Sequence, residues 1–259
     1  MKPLKPYIGI TDFMTRDQVR AMLEVFNRTK PKEGSGRVLH VGVMTGYNTL
    51  HGNESIFTKA FPKNEAIADI FWSDETFNCL HYADYKEHPK LAASLTKAIT
   101  LGGTGIHALQ LDMIWPAVAE IATAVHTSRK KIEVILQLNT LALSYVENDP
   151  NQLVERLEEY NGTIHRVLLD MSMGRGLGMN PIVLLPFARA IKKYFPHLGL
   201  VVAGGLGPFS MKLVKTITDE FPDVSIDAQG QLRPSFSCLD PIDWTMAENY
   251  IIEAHKRLP

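Results

Sequence analysis

Apolar residues along this chain fall in short runs. Between the runs lie stretches whose apolar positions recur every three or four residues. The runs are short and rich in Val, Ile and Leu, as in strands covered on both faces, and the stretches between them have the helical period. The predicted strands are Tyr7–Phe13, Arg37–Met44, Asn78–Ala83, Ile106–Ile114, Ile132–Leu138, His165–Met171, Gly199–Ala203 and Val224–Ala228. Helices are predicted over Thr15–Thr29, around Asn64–Phe71, from Pro116, near Asn151–Tyr160, after Asn180-Pro181, from near Pro208, and over Pro241–Leu258. Thr15 suits an N-cap, with Val19, Met22, Leu23 and Phe26 marking one helix face. The polar stretch from Thr45 to about Glu54 reads as a lid or a surface insertion.

Eight strands alternating with helices imply parallel pairing through right-handed crossovers. A doubly wound open sheet usually carries its glycine-rich turn after the first strand. Here the glycines cluster after the sixth, seventh and eighth strands. The expectation is a single (β/α)8 barrel over residues 1–259, a length close to the ~250 residues typical of that fold. No internal domain boundary or low-complexity segment interrupts it.

Composition narrows the function classes. Hydrophobic residues make up 45% of the chain, enough for a large core, and the formal charge is −1. No basic block is present, so nucleic acid and anionic membrane are poor partners. No apolar run reaches the roughly 18 residues of a membrane span, and no signal peptide is expected. Cys79 and Cys238 lie far apart, which fits a reduced, cytoplasmic protein. Cys79 is expected to be packed rather than reactive. Nothing in the sequence calls for a cofactor, and a homo-oligomer remains open.

In such a barrel, function sits where strands end. Ala203-Gly204-Gly205-Leu206-Gly207-Pro208 follows the seventh strand, and Asp227-Ala228-Gln229-Gly230-Gln231-Leu232-Arg233 spans the end of the eighth. These two loops are the usual barrel phosphate site. Gly204, Gly205, Gly207, Asp227, Gln229 and Gly230 are therefore candidate ligands of a small phosphorylated metabolite. After the sixth strand, Asp170 precedes a loop containing Arg175 and Gly176. Asp170 is a candidate acid/base or a loop-orienting carboxylate, and Arg175 and Gly176 are candidate anion contacts. Asp112 ends Leu109-Gln110-Leu111-Asp112. If the leucines face the helices, Gln110 and Asp112 face the axis. Asp12 reads as a further catalytic carboxylate or as a cap of the first helix. His40, His51, His81, Asp84, Asp69 and His107 are scattered, with no close metal-ligand spacing, so no metal is assigned. No lysine lies inside a predicted strand, which argues against Schiff-base chemistry.

Taken in order, these segments resemble phosphoribosylanthranilate isomerase. Tyr7-Ile8-Gly9-Ile10-Thr11 is similar to its opening strand, Ala108-Leu109-Gln110-Leu111 to its fourth and Leu168-Leu169-Asp170 to its sixth. Ala203 to Pro208 is similar to its seventh-strand phosphate loop, and Ile226-Asp227-Ala228 to its eighth strand. The resemblance implies a phosphate held by the late loops and Asp170 as the acid of an isomerisation. Ile8 stands where the family keeps its cysteine base, Asp112 where it has a histidine, and Gln229-Gly230-Gln231 where it has a serine-rich turn. The family's arginine in the loop after the second strand has no clear counterpart. Three readings follow: an isomerase-like enzyme using Asp170 with Asp112 or Asp12, a non-catalytic binder of a phosphorylated metabolite, and a metal-assisted epimerase or lyase.

Overall fold

Eight parallel strands close on themselves in sequence order in a computed structural model that describes residues 4–31, 36–170 and 180–258. Arg175, Gly176 and the predicted end of the sixth strand at Met171 lie outside the described residues. The first half runs β1 (Tyr7–Thr11), α1 (Arg16–Thr29), β2 (Val38–Gly46), α2 (Tyr47–His51), α3 (Ile67–Ile70), β3 (Phe77–Ala83), α4 (Leu91–Leu101), β4 (Ala108–Asp112) and α5 (Val118–Ser128). The second half runs β5 (Glu133–Asn139), α6 (Thr140–Ser144), α7 (Pro150–Glu158), β6 (Arg166–Asp170), α8 (Pro181–Tyr194), β7 (Gly199–Ala203), α9 (Lys215–Thr218), β8 (Ser225–Ala228) and α10 (Trp244–Arg257). The barrel closes where Ile8, Gly9 and Ile10 pair with Ile226, Asp227 and Ala228. This is the (β/α)8 barrel. No helix among the described residues is long and apolar enough to cross a membrane.

Alternation along each strand divides the side chains into two shells. Ile8, Ile10, Val41, Leu80, Leu109, Leu111, Val167 and Ile226 join the large outer cluster with the helices. Tyr7, Cys79, Ala108, Ile135, Leu168 and Val201 form a smaller cluster inside the barrel. Beneath it, Arg166 donates to Glu133 at 2.6 Å and lies over the Tyr7 and Phe77 rings, so the lower barrel is filled rather than open. Cys79 is fully buried in this inner packing.

Thr15 caps α1 as the sequence predicts. Its hydroxyl accepts from the Gln18 N–H, and the Gln18 side chain accepts from the Thr15 N–H. Asp12 therefore does not cap that helix. It takes a positive φ of 92°, and both its N–H and that of Phe13 donate to the Gly42 carbonyl. That turn ends β1 at Thr11 instead of Phe13.

Other elements differ from the pattern for local reasons. The stretch read as a lid or insertion contains α2, stopped by Gly52 in the left-handed region. Asn64–Phe71 splits into a 3-10 turn and the short α3. α5 starts at Val118 instead of Pro116. α4 was not signalled, because its N-cap is Lys90 at positive φ with no side-chain cap. The helix expected from Pro208 is a 3-10 turn, Met211–Val214, followed by the four-residue α9. No long helix therefore opens at the end of the β7 loop.

Candidate functional site

Inward-facing residues at the carboxyl ends of the strands line a cavity that opens to solvent. Gly204 and Gly205 line it from the loop after β7, and Gln229 and Gly230 from the loop after β8. Asp170 and Asp227 enter it from β6 and β8, joined by Thr11, His81, Gln110 and Gln137. The structure thus gathers six of the predicted site residues around one space: Asp170, Gly204, Gly205, Asp227, Gln229 and Gly230.

Gly204 and Gly205 have φ of 94° and 67°, a left-handed turn that excludes ordinary side chains. Gly207 serves another purpose. Its N–H donates to Ser210 Oγ at 2.8 Å, and a Cβ there would stand 2.7 Å from Gln231 Cβ. It lets the β7 loop pack on the β8 loop and does not line the cavity.

Asp12, offered by the sequence as a catalytic group, lies behind the cavity wall. It is 2% exposed and forms a buried ion pair with Arg233. Gln229 Nε2 donates to both of its oxygens at 3.1 Å. Arg233 also donates to the Gln229 carbonyl at 2.7 Å and to the Asp240 carbonyl at 2.6 Å. This pair pins the β8 loop.

Asp227 is almost fully buried, and Thr11 Oγ1 donates to its Oδ2 at 2.9 Å. Its Oδ1 makes no hydrogen bond among the described residues. Burial pushes its carboxyl up to about 7 against the opposing hydrogen bond from Thr11. The sequence reading took Asp227 as a ligand contact only. Its strand pattern, Ser225-Ile226-Asp227-Ala228, already implied an inward carboxylate.

A chain of polar groups crosses the opposite wall. Gln137 Nε2 donates to Asp170 Oδ2 at 3.3 Å, and Gln110 Nε2 donates to Gln137 Oε1 at 2.8 Å. Gln110 Nε2 also lies 3.3 Å from His81 Nδ1. His81 Nε2 is 3.6 Å from Asp112 Oδ2. Asp112 stands at the rim, where it accepts from the Tyr85 hydroxyl, and that hydroxyl accepts from Asn139 Nδ2 at 2.9 Å. Gln110 faces the axis, as the alternation predicts. Tyr85 follows β3 in a loop and carries no pattern that would have revealed it.

Beneath Asp227, His40 stacks on Tyr7 with ring centroids 4.5 Å apart. Burial lowers its imidazole to about 3, so the ring is neutral. The remaining histidines and acids of the metal reading are dispersed. His51 bonds Ser94 and His88 bonds Asp84. Among the described residues, no three His, Cys, Asp or Glu side chains gather as a metal-binding group.

Ile8 does not face this space. It is buried in the outer shell with the helices, while its neighbours Tyr7, Gly9 and Thr11 point inward. The resemblance set Ile8 at a base position. The alternation of β1 turns that position away from any ligand.

No protein-family model matches the sequence, and no curated protein matches it. Solved structures do resemble the fold. Phosphoribosyl anthranilate isomerase, in complex with reduced 1-(o-carboxyphenylamino)-1-deoxyribulose 5-phosphate, has a TM-score of 0.59 at 13% identity, over 97% of this chain and 98% of that one. A putative mandelate racemase/muconate lactonizing enzyme from Sorangium cellulosum has a TM-score of 0.48 at 15% identity, over 87% of this chain and 53% of that one. The first likeness shows the fold alone, and the second is too distant to support an argument.

Proposed function

We propose that this barrel is an isomerase-type enzyme that moves protons on a small phosphorylated sugar. One observation carries the reading: the glycine loops after β7 and β8 share a single cavity with two inward carboxylates, Asp170 and Asp227. Loops at those positions are where barrels commonly hold phosphate, with backbone N–H groups as donors. The isomerase structure of like fold carries a deoxyribulose 5-phosphate derivative, a ligand of the proposed class.

Asp227 is the base in this reading. A carboxyl held at about 7 takes and returns a proton near neutral pH far more readily than one near 4. Its partial protonation also limits repulsion toward a bound phosphate. Asp170 exchanges the proton on oxygen, with Gln137 fixing its orientation. The alternative reading, a non-catalytic binder, rests on Ile8 standing in place of a cysteine base; in the present reading the inward carboxylate of Asp227 fills that role instead.

Calorimetric titration of the purified protein tests the anchor. Ribulose 5-phosphate is expected to bind roughly a hundredfold more tightly than ribulose, and inorganic phosphate to compete with it. Gly205→Val, which forces a side chain into a left-handed turn, is expected to erase the difference. Equal affinity for the sugar and its phosphate would contradict the reading.

A further inference from the structure

Three residues that line the cavity each carry a buried polar atom with no hydrogen bond among the described residues: His81 Nε2, which lies 3.6 Å from Asp112 Oδ2, Gln110 Oε1, and Asp227 Oδ1, which lies 3.8 Å from His40 Nδ1. Their residues are 5%, 1% and 5% exposed. A buried polar atom that makes no hydrogen bond is destabilising unless a ligand supplies one. Three in one cavity describe the ligand that would satisfy them.

The donor and acceptor character of each atom follows from its neighbours. Gln110 Nε2 is a donor only, so its 3.3 Å contact makes His81 Nδ1 an acceptor. Nε2, on the side of Asp112, is then the ring nitrogen that carries a proton. With Nε2 of Gln110 committed to Gln137 and His81, its Oε1 is left as a pure acceptor. Asp227 Oδ1 is an acceptor when ionised.

Resting on the function proposed above, we infer that the reacting end of the substrate is an α-hydroxycarbonyl, and that His81 is a catalytic residue that donates from Nε2 to its carbonyl oxygen. The neighbouring hydroxyl donates to Gln110 Oε1. The hydrogen on the hydroxyl-bearing carbon faces Asp227 Oδ1. Asp112, held by Tyr85, is a positioning residue that keeps the His81 ring turned.

The chemistry balances without a co-reactant. Asp227 takes the proton from the hydroxyl-bearing carbon. The C–H electron pair becomes the C=C bond, and the carbonyl π pair moves to oxygen, where His81 stabilises it and Asp170 delivers a proton. Asp227 then returns its proton to the former carbonyl carbon. The other hydroxyl gives its proton back to Asp170 as the new carbonyl forms. Both carboxyls end as they began, and an aldose and a ketose have exchanged.

The test measures binding of four probes by calorimetry: inorganic phosphate, ribulose 5-phosphate, ribitol 5-phosphate, which lacks the carbonyl, and 1-deoxyribulose 5-phosphate, which lacks the C1 hydroxyl beside it, the one that exchanges with the carbonyl. The wild-type protein is expected to favour ribulose 5-phosphate about tenfold or more over each of the last two, because a site built to hydrogen-bond a group rejects analogues that lack it. His81→Leu is expected to abolish the preference over ribitol 5-phosphate, to retain the preference over the deoxy compound, and to leave inorganic phosphate affinity unchanged. Wild-type protein that binds phosphate but treats the three sugar phosphates alike overturns the inference and leaves the phosphate anchor standing. Wild-type protein that binds no phosphate overturns the anchor and the inference together.

Discussion

Gly9 and Asp227 are direct partners across β1 and β8, and the side chain that Gly9 lacks is the space in which the Asp227 carboxylate sits. A Cβ on Gly9 would stand 2.5 Å from Asp227 Oδ1 and 3.0 Å from His40 Nδ1. Both obstacles are side chains, so the backbone tolerates the substitution while the carboxylate must move. Gly9→Ala is expected to keep the circular dichroism of the wild type and to lower turnover by roughly 10²-fold, since misplacing a catalytic group by about 1 Å costs that much. Turnover within a factor of two of wild type would show that Asp227 does not act from this position.

If Asp227 is the base proposed, its titration near 7 sets the pH dependence. As pH rises through about 7, Asp227 loses its proton and becomes able to accept one, so kcat/KM is expected to climb over that range and then level. A profile already flat from about pH 5 upward would assign the base to another group.

The same carboxyl makes a stability prediction of definite sign. The folded chain keeps the Asp227 proton up to about 7, whereas an exposed carboxyl releases it near 4. Between those values folding takes up a proton, so the contribution of Asp227 to stability falls as pH rises and is lowest above about 7. Asp227→Asn is expected to gain in unfolding free energy over the wild type on going from about pH 5 to about pH 8, by on the order of 3 kcal/mol at most, with a matching rise in relative Tm. Thermal melts at both values check it, and a variant that loses ground with rising pH contradicts it.

The barrel and the glycine loops at its mouth were legible in the sequence because both are written in local patterns: short apolar runs, and glycines after the late strands. The direction of individual side chains was legible only where the alternation was applied. Leu109 and Leu111 were correctly set outward, which turned Gln110 inward. The same argument on Tyr7-Ile8-Gly9-Ile10-Thr11 puts Ile8 and Ile10 against the helices and frees Gly9 and Thr11 for the axis. Motif similarity alone set Ile8 at the site. Asp12 and Arg233 are 221 residues apart, and no local pattern signals their pairing. Tyr85 reaches Asp112 from an irregular loop, where spacing carries no directional information.

The Arg233–Asp12 pair is expected to matter for stability before chemistry. Its side chains are 0% and 1% exposed. Removing one partner strands a buried charge, so Arg233→Met is expected to cost about 3–5 kcal/mol in denaturant unfolding. Adding Asp12→Asn should recover part of the loss. A single variant as stable as the wild type would show that the pair does not hold the β8 loop.

Ile8 supplies a contrasting case. Because it packs against the helices, Ile8→Val is expected to cost about 0.5–1.5 kcal/mol and to leave turnover unchanged. Ile8→Cys is likewise expected to bring no gain in turnover, because a thiol there would face the outer core. A rate increase on that substitution would place the residue in the site after all.

Solvent deuterium exchange tests the central claim most directly. Ribulose 5-phosphate is incubated with the protein in D2O, and proton NMR follows the carbon positions beside the carbonyl. Wild-type protein is expected to wash deuterium into one of them, and Asp227→Asn to exchange at least ~10²-fold more slowly while still binding inorganic phosphate. A wild-type protein that binds the sugar phosphate without exchanging any proton, or an Asp227→Asn variant that exchanges as fast as wild type, would contradict the account.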